Sequence, residues 1–237
     1  MTGRLGSSNT FCWMDLKTHD PSGTAGFFSA VLGWDFAVDE QDWRRATTVS
    51  AGEHRIGTVS DLANPVYPPG TPPHIAFYLA VEDVDRRSAA ATAHGARLVL
   101  APFDAGDQGR VATLVDPVGA AFSLWRPAYP HGWRFPPGTP YAPQRMVLAC
   151  ADPRQAQRFY RGLLGVPLRF ADFVTTEGRE VLSPQWEPAI GVPDLERVAD
   201  RARAAGAELP PGFDEVGRSS LRLRSPQGLT FHVLPLG

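Results

Sequence analysis

Three strand-like segments carry aromatic and polar side chains at alternate positions, as expected for side chains that share one face of a sheet. The alternating residues are Trp13 and Asp15 in FCWMDLKT, His74 and Tyr78 in HIAFYLAV, and Ser123 and Trp125 in AAFSLW. An aromatic wall with a few polar groups suits a flat aromatic or oxygenated small molecule. The sequence therefore predicts ligand-binding residues here, with plain core packing of the aromatic side chains as the alternative.

Other chemical motifs are missing from the sequence. It has no Gly-rich phosphate loop, no G-x-S-x-G elbow and no C-x-x-C pair. Cys12 and Cys150 lie one in each half, in apolar strand-like runs, without the spacing of a metal site. We predict that both are buried, reduced thiols.

The elements that must position these residues occur twice along the chain. LKTHDPSGTAGFFSAVLGWDF from Leu16 matches LACADPRQAQRFYRGLLGVPL from Leu148, and DPVGAAFSLW from Asp116 matches SPQGLTFHVL from Ser225. In the first pair, an Asp-Pro step starts a helix and a glycine ends it. The repeats predict two copies of two βαβββ motifs, and therefore an α+β fold.

The predicted domains follow from these repeats. The N-terminal copy spans 8–127, a Pro- and Gly-rich linker spans 128–143, and a shortened C-terminal copy spans 144–237.

A strand, then Asp-Pro, a helix ending Phe-Phe/Tyr-x-x-x-Leu-Gly, and a closing strand opened by Asp-Pro-x-Gly resemble the vicinal oxygen chelate superfamily. This superfamily includes glyoxalases, bleomycin-resistance proteins and extradiol dioxygenases. The resemblance covers essentially the whole chain. It implies two tandem domains whose four βαβββ motifs form cup-shaped mixed sheets with the helices outside.

The resemblance also implies where metal ligands would lie, on the first and last strands of each motif. The first-strand positions, counted back from the Asp that follows each strand, are Trp13, Ala76, Arg145 and Glu187. The last-strand positions, counted from the closing glycine, are Ser123 and His232, and those of motifs one and three fall near Gly57 and Leu182. Metal sites use imidazole, carboxylate or thiolate groups, and the first copy offers none of these at Trp13, Ala76 and Ser123. In the second copy Glu187 and His232 are of ligand type, but Arg145 is a permanent cation that would repel a metal ion. We therefore expect no metal, and no other cofactor is expected.

The same positions in the second copy suggest a metal-free catalytic set of Arg145, Glu187 and His232. His232 would act as the acid or base, Glu187 would orient it, and Arg145 would hold a carboxylate or enolate. The alternative is a structural ion pair between Arg145 and Glu187 beside an ordinary strand histidine.

Two functions remain open, and we favour the first. It is a metal-independent, cofactor-free lyase, isomerase or cyclase that acts on a small aromatic or oxygenated metabolite in antibiotic biosynthesis or resistance. The second is a protein that sequesters such a molecule without converting it. A metal-dependent glyoxalase or dioxygenase ranks third.

Composition limits the partners of the 237-residue chain. Its net charge of −2 gives no electrostatic case for nucleic acid, and no apolar run is long enough to span a membrane. The first residues lack a signal-peptide pattern, so a cytoplasmic location is expected. The expected partner is a small molecule, and the resemblance makes a homodimer a second expectation.

Overall fold

The computed structural model of the chain describes residues 4–40, 46–128, 132–176, 184–210 and 220–236. The helices in these ranges are α1 (Pro21–Leu32), α2 (Val84–Ala93), α3 (Pro153–Leu164) and α4 (Leu195–Ala204). The strands of the first half are β1 (Phe11–Thr18), β2 (Asp35–Val38), β3 (Thr47–Ala51), β4 (His54–Asp61), β5 (His74–Ala80), β6 (Arg97–Asp104), β7 (Gly109–Val115) and β8 (Ala121–Pro127). Those of the second half are β9 (Pro143–Cys150), β10 (Ala171–Thr175), β11 (Trp186–Val192), β12 (Leu221–Arg224) and β13 (Thr230–Pro235).

The helix starts follow from the repeated Asp-Pro steps. The Asp20 carboxylate accepts a hydrogen bond from the Gly23 amide at 2.9 Å, and the Asp152 carboxylate accepts one from the Gln155 amide at 2.8 Å. These bonds satisfy amide groups that a helix start leaves without intrahelical partners. Gly33 ends α1 in the left-handed conformation, with φ of 67°, which a residue with a Cβ adopts at a cost.

The α+β fold is confirmed: in the described residues strands dominate and form mixed sheets. The first two motifs are complete βαβββ arrangements. The second half is shorter: its described elements are β9-α3-β10 and β11-α4-β12-β13. Leu182 lies outside the described residues, and the predicted domain boundaries stay predictions.

The chain divides into two compact bodies, each made of separate stretches of sequence. The first body comprises Met1–Trp13, Phe77–Arg134 and Arg145–Glu187, and the second comprises Met14–Ala76, Phe135–Gln144 and Pro188–Gly237. Motifs two and three therefore share one body, and motifs one and four share the other.

In the first body the strand orders are β5-β8-β7-β6 and β10-β9, and α2 packs against α3. Its core contains the buried ring of Tyr160, whose centroid lies 5.4 Å from that of Phe122 and 5.3 Å from that of Trp186. The Tyr160 hydroxyl donates to the Asp116 carboxylate at 2.9 Å. Burial raises the pKa of Asp116, and hydrogen bonds from the Ala120 amide and from Tyr160 oppose that rise.

In the second body the strand orders are β2-β3-β4-β1 and β11-β13-β12, and α1 packs against α4. Phe28 stacks on Trp34 with ring centroids 4.9 Å apart, and Phe231 lies 5.2 Å from Phe28. The contact between Phe28 and Phe231 packs α1 against β13, the strand that carries His232.

Cys12 and Cys150 are both buried and neither forms a disulfide, as predicted, and burial raises the pKa of the Cys12 thiol. Within the described ranges, no helix combines the length and apolar character that a membrane span needs.

Candidate functional site

The strand register defines equivalent positions in the four motifs. In motif two, the last-strand residue Ser123 of β8 lies opposite Tyr78 of the parallel strand β5. Tyr78 comes two residues after Ala76, the first-strand position of that motif. In motif four, His232 of β13 lies opposite Ala189 of β11, two residues beyond Glu187. The relation between the first-strand and last-strand positions is therefore the same in both motifs.

This relation locates the two positions that the sequence left open. In motif one, Thr58 of β4 lies opposite Asp15, two residues beyond Trp13. In motif three, Asp172 of β10 lies opposite Val147, two residues beyond Arg145. The last-strand positions are therefore Thr58 and Asp172. Sequence reasoning missed Asp172 because the shortened third motif gave no closing glycine from which to count.

The side chains at these positions of motifs one, two and three do not fit a divalent metal ion, and motif four supplies only two residues of ligand type, Glu187 and His232. In motifs one and two they are Trp13, Thr58, Ala76 and Ser123, which offer hydroxyl groups at most. In motif three the carboxylate is already bound by a guanidinium group. Among the described residues, no group of three His, Cys, Asp or Glu side chains could hold a metal ion. The donor chemistry therefore gives no basis for a metal-assisted step.

Asp15 is the centre of a polar cluster in the second body. It is 5% exposed, and its carboxylate accepts hydrogen bonds from Thr58 at 3.1 Å and from Ser60 at 2.8 Å. The Lys17 ammonium lies 2.9 Å from the same carboxylate. We call Asp15, Lys17, Thr58, Ser60 and Tyr67 the Asp15 cluster.

Lys17 connects this cluster to the Pro-rich loop before β5. Its side chain is 15% exposed, and its ammonium donates to the Tyr67 hydroxyl at 2.9 Å. The same ammonium lies 4.4 Å from the centroid of the Tyr67 ring, within the range of a cation–π contact. Lys17 is the single lysine of the sequence.

His74 lies in the same body, at the start of β5. Its Nδ1 lies 2.9 Å from the Pro72 carbonyl oxygen. Burial lowers the pKa of His74 below 6.5, the Pro72 carbonyl opposes that change, and the charges of Lys17 and Asp15 act in opposite directions. Of the predicted residues, Asp15 therefore lies in a polar cluster with Lys17 and Tyr67, two residues that we did not predict.

An apolar surface lies in the first body, on the β5-β8-β7-β6 strands. The Trp125 ring is 6.5 Å from Trp13 and 5.8 Å from Tyr78, between centroids. The Ser123 and Thr113 hydroxyls are hydrogen-bonded at 2.9 Å. The structure thus brings together Trp13, Tyr78, Ser123 and Trp125, all predicted from strand alternation.

Two side chains of β6 extend this surface. Leu100 lies opposite Thr113, and Phe103 lies opposite Val111, so both point to the side that carries Trp125. Residues three apart share this face because the register shifts twice along β6, as in a β-bulge. Leu100 is 47% exposed and Phe103 is 40% exposed. We call Trp13, Tyr78, Leu100, Phe103, Thr113, Ser123 and Trp125 the aromatic face.

Arg145 is bound to a partner that the sequence did not suggest. Its Nε and Nη2 atoms each lie 2.5 Å from an oxygen of Asp172. The hydrogen bonds that Arg145 donates to Asp172 raise the pKa of Arg145, although partial burial opposes this. The predicted use of Arg145 to hold a substrate anion stays a prediction, and its guanidinium group already has a bidentate carboxylate partner.

Glu187 and His232 are both buried, at 4% and 3% exposure. Glu187 accepts a hydrogen bond from the side-chain amide of Gln185 at 3.2 Å. His232 of β13 lies opposite Arg222 of β12. Each is described within its own body, and their joint catalytic role stays a prediction.

The comparisons with known proteins agree with this fold. The family model of the glyoxalase-like domain matches residues 13–125 and 145–234. The chain is 27% identical to the Mycobacterium tuberculosis protein named as the glyoxylase CFP32, over 98% of this chain and 95% of that protein. It is 28% identical to the anthracycline biosynthesis protein DauV of a Streptomyces species, over 77% of this chain and 70% of that protein.

A solved structure shows the same fold at low sequence identity. The manganese-bound glyoxalase from Novosphingobium aromaticivorans superposes with a TM-score of 0.63 and 14% identity, over 97% of this chain and 83% of that chain. Two matched segments, one in each half, agree with the repeat found in the sequence. The chain belongs to the glyoxalase-like domain family of the vicinal oxygen chelate superfamily.

Proposed function

We propose that the protein binds a small, flat, oxygenated aromatic metabolite of secondary metabolism and converts it, without a metal, in a lyase-, isomerase- or cyclase-type reaction. The observation that carries this proposal is the aromatic face. It presents exposed apolar side chains beside hydroxyl groups in a family that acts on small molecules.

The composition of the aromatic face supports an aromatic ligand. Leu100 and Phe103 leave large apolar areas in water, and the partly buried rings of Trp13 and Tyr78 lie on the same face. Aromatic rings favour offset or edge contacts with other rings, which a flat ligand could supply. The Ser123–Thr113 hydroxyl pair offers hydrogen bonds to ligand oxygen atoms. The relative named for anthracycline biosynthesis favours the same class of molecule.

Independence from metal is supported by the residues at the six register positions of motifs one, two and three, whereas those of motif four are Glu187 and His232, which are of ligand type. Tryptophan, alanine, threonine and serine stand at those of motifs one and two. The guanidinium group of Arg145 occupies the Asp172 carboxylate in motif three. A positive side chain at such a position opposes a divalent cation through like-charge repulsion.

Sequestration without conversion is the second candidate function. It is favoured by the aromatic face itself, whose members are apolar, aromatic or hydroxyl side chains without a charged group. Such a face can bind a ligand tightly and still offer no acid or base.

A fluorescence titration tests the binding proposal. The probe is 1,4-dihydroxyanthraquinone, added to protein treated with EDTA, and tryptophan emission is followed. Saturable quenching is expected for the unmodified protein, with weaker binding for Leu100→Asp. Leu98→Asp is the matched control, because Leu98 is 40% exposed on the same strand but lies opposite the buried Leu114. Equal binding by the two variants would exclude the aromatic face as the site that binds the dye.

Product analysis then separates the two functions. The probe is recovered after long incubation and examined by mass spectrometry and proton NMR. A new product supports an enzyme, and quantitative recovery of the unaltered probe supports sequestration.

A further inference from the structure

We propose that the Asp15 cluster is a reactive site at which the Lys17 amine forms an imine with the carbonyl carbon of a small aldehyde or ketone. Asp15 takes up the proton that the Lys17 ammonium must lose, and Tyr67 donates a proton to the carbonyl oxygen. This activity goes beyond the proposed function, because the cluster belongs to the second body and the aromatic face to the first.

The residue type at position 17 favours amine chemistry. Of the 23 lysine and arginine residues in the sequence, Lys17 is the one lysine. A guanidinium group binds a carboxylate with two hydrogen bonds and stays charged, so arginine suits a purely structural ion pair better, as Arg145 does with Asp172. A lysine becomes a nucleophile towards carbonyl compounds once it loses a proton.

Two contacts place the Lys17 amine between a proton acceptor and a proton donor. Its nitrogen lies 2.9 Å from Asp15 Oδ2 and 2.9 Å from the Tyr67 hydroxyl oxygen. The Lys17 side chain is 15% exposed, so it is held by its neighbours and keeps contact with solvent. Because both partners lie within hydrogen-bond distance of the same nitrogen, protons can move to and from it without a rearrangement of the strands.

Asp15 is fixed in an orientation that suits a proton acceptor. Its buried carboxylate accepts hydrogen bonds from Thr58 at 3.1 Å and from Ser60 at 2.8 Å. These hydroxyl groups are neutral, so they orient the carboxylate without cancelling its negative charge. The second oxygen of Asp15 is therefore directed at Lys17 by a network that is already in place.

Tyr67 can donate a proton where the reaction needs one. Its hydroxyl oxygen accepts the hydrogen bond from the Lys17 ammonium and still carries its own hydrogen. The carbonyl oxygen of a substrate is one bond away from the carbon that Lys17 attacks, so a donor in contact with the Lys17 nitrogen is close to that oxygen as well. The neighbouring cation makes the phenol a stronger donor.

The proposed step balances without an oxidant or other co-reactant. Asp15 takes a proton from the Lys17 ammonium, the amine attacks the carbonyl carbon, and the carbonyl oxygen takes the Tyr67 proton as the C–N bond forms. The nitrogen then returns a proton to the Tyr67 phenolate. Asp15 gives its proton to the new hydroxyl group, which leaves as water while the nitrogen lone pair completes the C=N bond. The products are a protonated imine on Lys17 and one water molecule.

The experiment traps the imine in the complete 237-residue chain with benzaldehyde and sodium cyanoborohydride, which reduces the imine to a stable benzylamine. Benzaldehyde has no hydrogen on the carbon beside its carbonyl group, so imine formation is measured alone. Peptide mass spectrometry then gives the rate at Lys17 separately from the rate at the α-amino group.

A lysine at an ordinary exposed position is the matched control. Arg158→Lys combined with Lys17→Arg keeps the net charge and moves the single lysine to α3, where the Arg158 side chain is 70% exposed. Without assistance, Lys17 should react more slowly than this lysine, because Lys17 is less accessible and is paired with Asp15. We expect the opposite order, with Lys17 at least about 10-fold faster.

Two tyrosine variants test the proton donor. Tyr67→Phe keeps the ring beside Lys17 but removes the donor, and it should lower the Lys17 rate about 10-fold. Tyr141→Phe removes a hydroxyl group outside the cluster and should leave the rate unchanged. A Lys17 rate no higher than that of the exposed control lysine would overturn the proposal. An unchanged rate in a Tyr67→Phe variant that folds, as shown by circular dichroism, would also overturn it, whether or not 1,4-dihydroxyanthraquinone binds to the aromatic face.

Discussion

Arg145 and Asp172 occupy the first-strand and last-strand positions of one motif and are joined by two hydrogen bonds of 2.5 Å. The family uses equivalent positions for metal ligands, and here a fixed cation and a carboxylate neutralise each other. The side chains of both residues are about three-quarters removed from solvent, at 26% and 24% exposure.

Breaking this pair should destabilise the fold. Arg145→Met leaves the partly buried Asp172 carboxylate without its cation, and Asp172→Asn leaves the partly buried Arg145 guanidinium group without its anion. We expect each single substitution to lower the free energy of unfolding by about 1–3 kcal/mol, between the values for exposed and buried pairs. The free energy of unfolding of the double variant should fall by less than the sum of the two single losses. Urea denaturation of all four proteins measures this coupling, and strict additivity would show that the pair contributes little.

Gly57 should be intolerant of a side chain because β4 passes close to β1. A Cβ added at Gly57 would lie 2.8 Å from the backbone oxygen of Met14, a contact that forces the strands apart. Gly57→Ala should therefore lower the free energy of unfolding by about 1–3 kcal/mol. Gly26→Ala is the matched control: its Cβ would meet nothing within 4 Å in α1, so a gain of about 0.5–1 kcal/mol is expected from helix propensity. Thermal denaturation of both variants measures the effect. A higher melting temperature for both would contradict the close approach of β4 to β1 at Gly57.

The sequence alone predicted much of the fold but only part of the site. Repeated Asp-Pro and Leu-Gly steps set the ends of α1 and α3, because caps are local signals. Strand alternation likewise grouped Trp13, Tyr78 and Trp125. Alternation could not place Leu100 and Phe103 together, since the bulges of β6 break its period. The contacts of Lys17 with Tyr67 and of Arg145 with Asp172 join segments that are far apart in the sequence. No local sequence pattern encodes such contacts.

His74 should make the protein less stable in mild acid. Its pKa in the folded state lies below the unfolded value of 6.5, so the unfolded chain binds the proton more readily. Stability therefore falls as the pH drops below about 6.5. His74→Gln removes this contribution, and the loss of stability between pH 7.5 and pH 5.5 should be smaller in the variant. Urea denaturation at the two pH values provides the comparison; an equal loss in both proteins would count against the shifted pKa.

His232 is the candidate catalytic base of the predicted set of Arg145, Glu187 and His232. If this set is catalytic, product analysis should show a large loss of conversion for His232→Ala and a similar loss for Glu187→Ala. Unchanged conversion in both variants would contradict the set. Because His232 is 3% exposed, each variant must first be shown to fold, by circular dichroism.

Native mass spectrometry after incubation with 1,4-dihydroxyanthraquinone and EDTA is the most direct test of metal-independent aromatic binding. We predict a one-to-one adduct of the chain with the dye, carrying no metal mass and strongly reduced in Leu100→Asp. An adduct that forms only after a divalent ion is restored, together with a stoichiometric metal on the chain, would contradict the account.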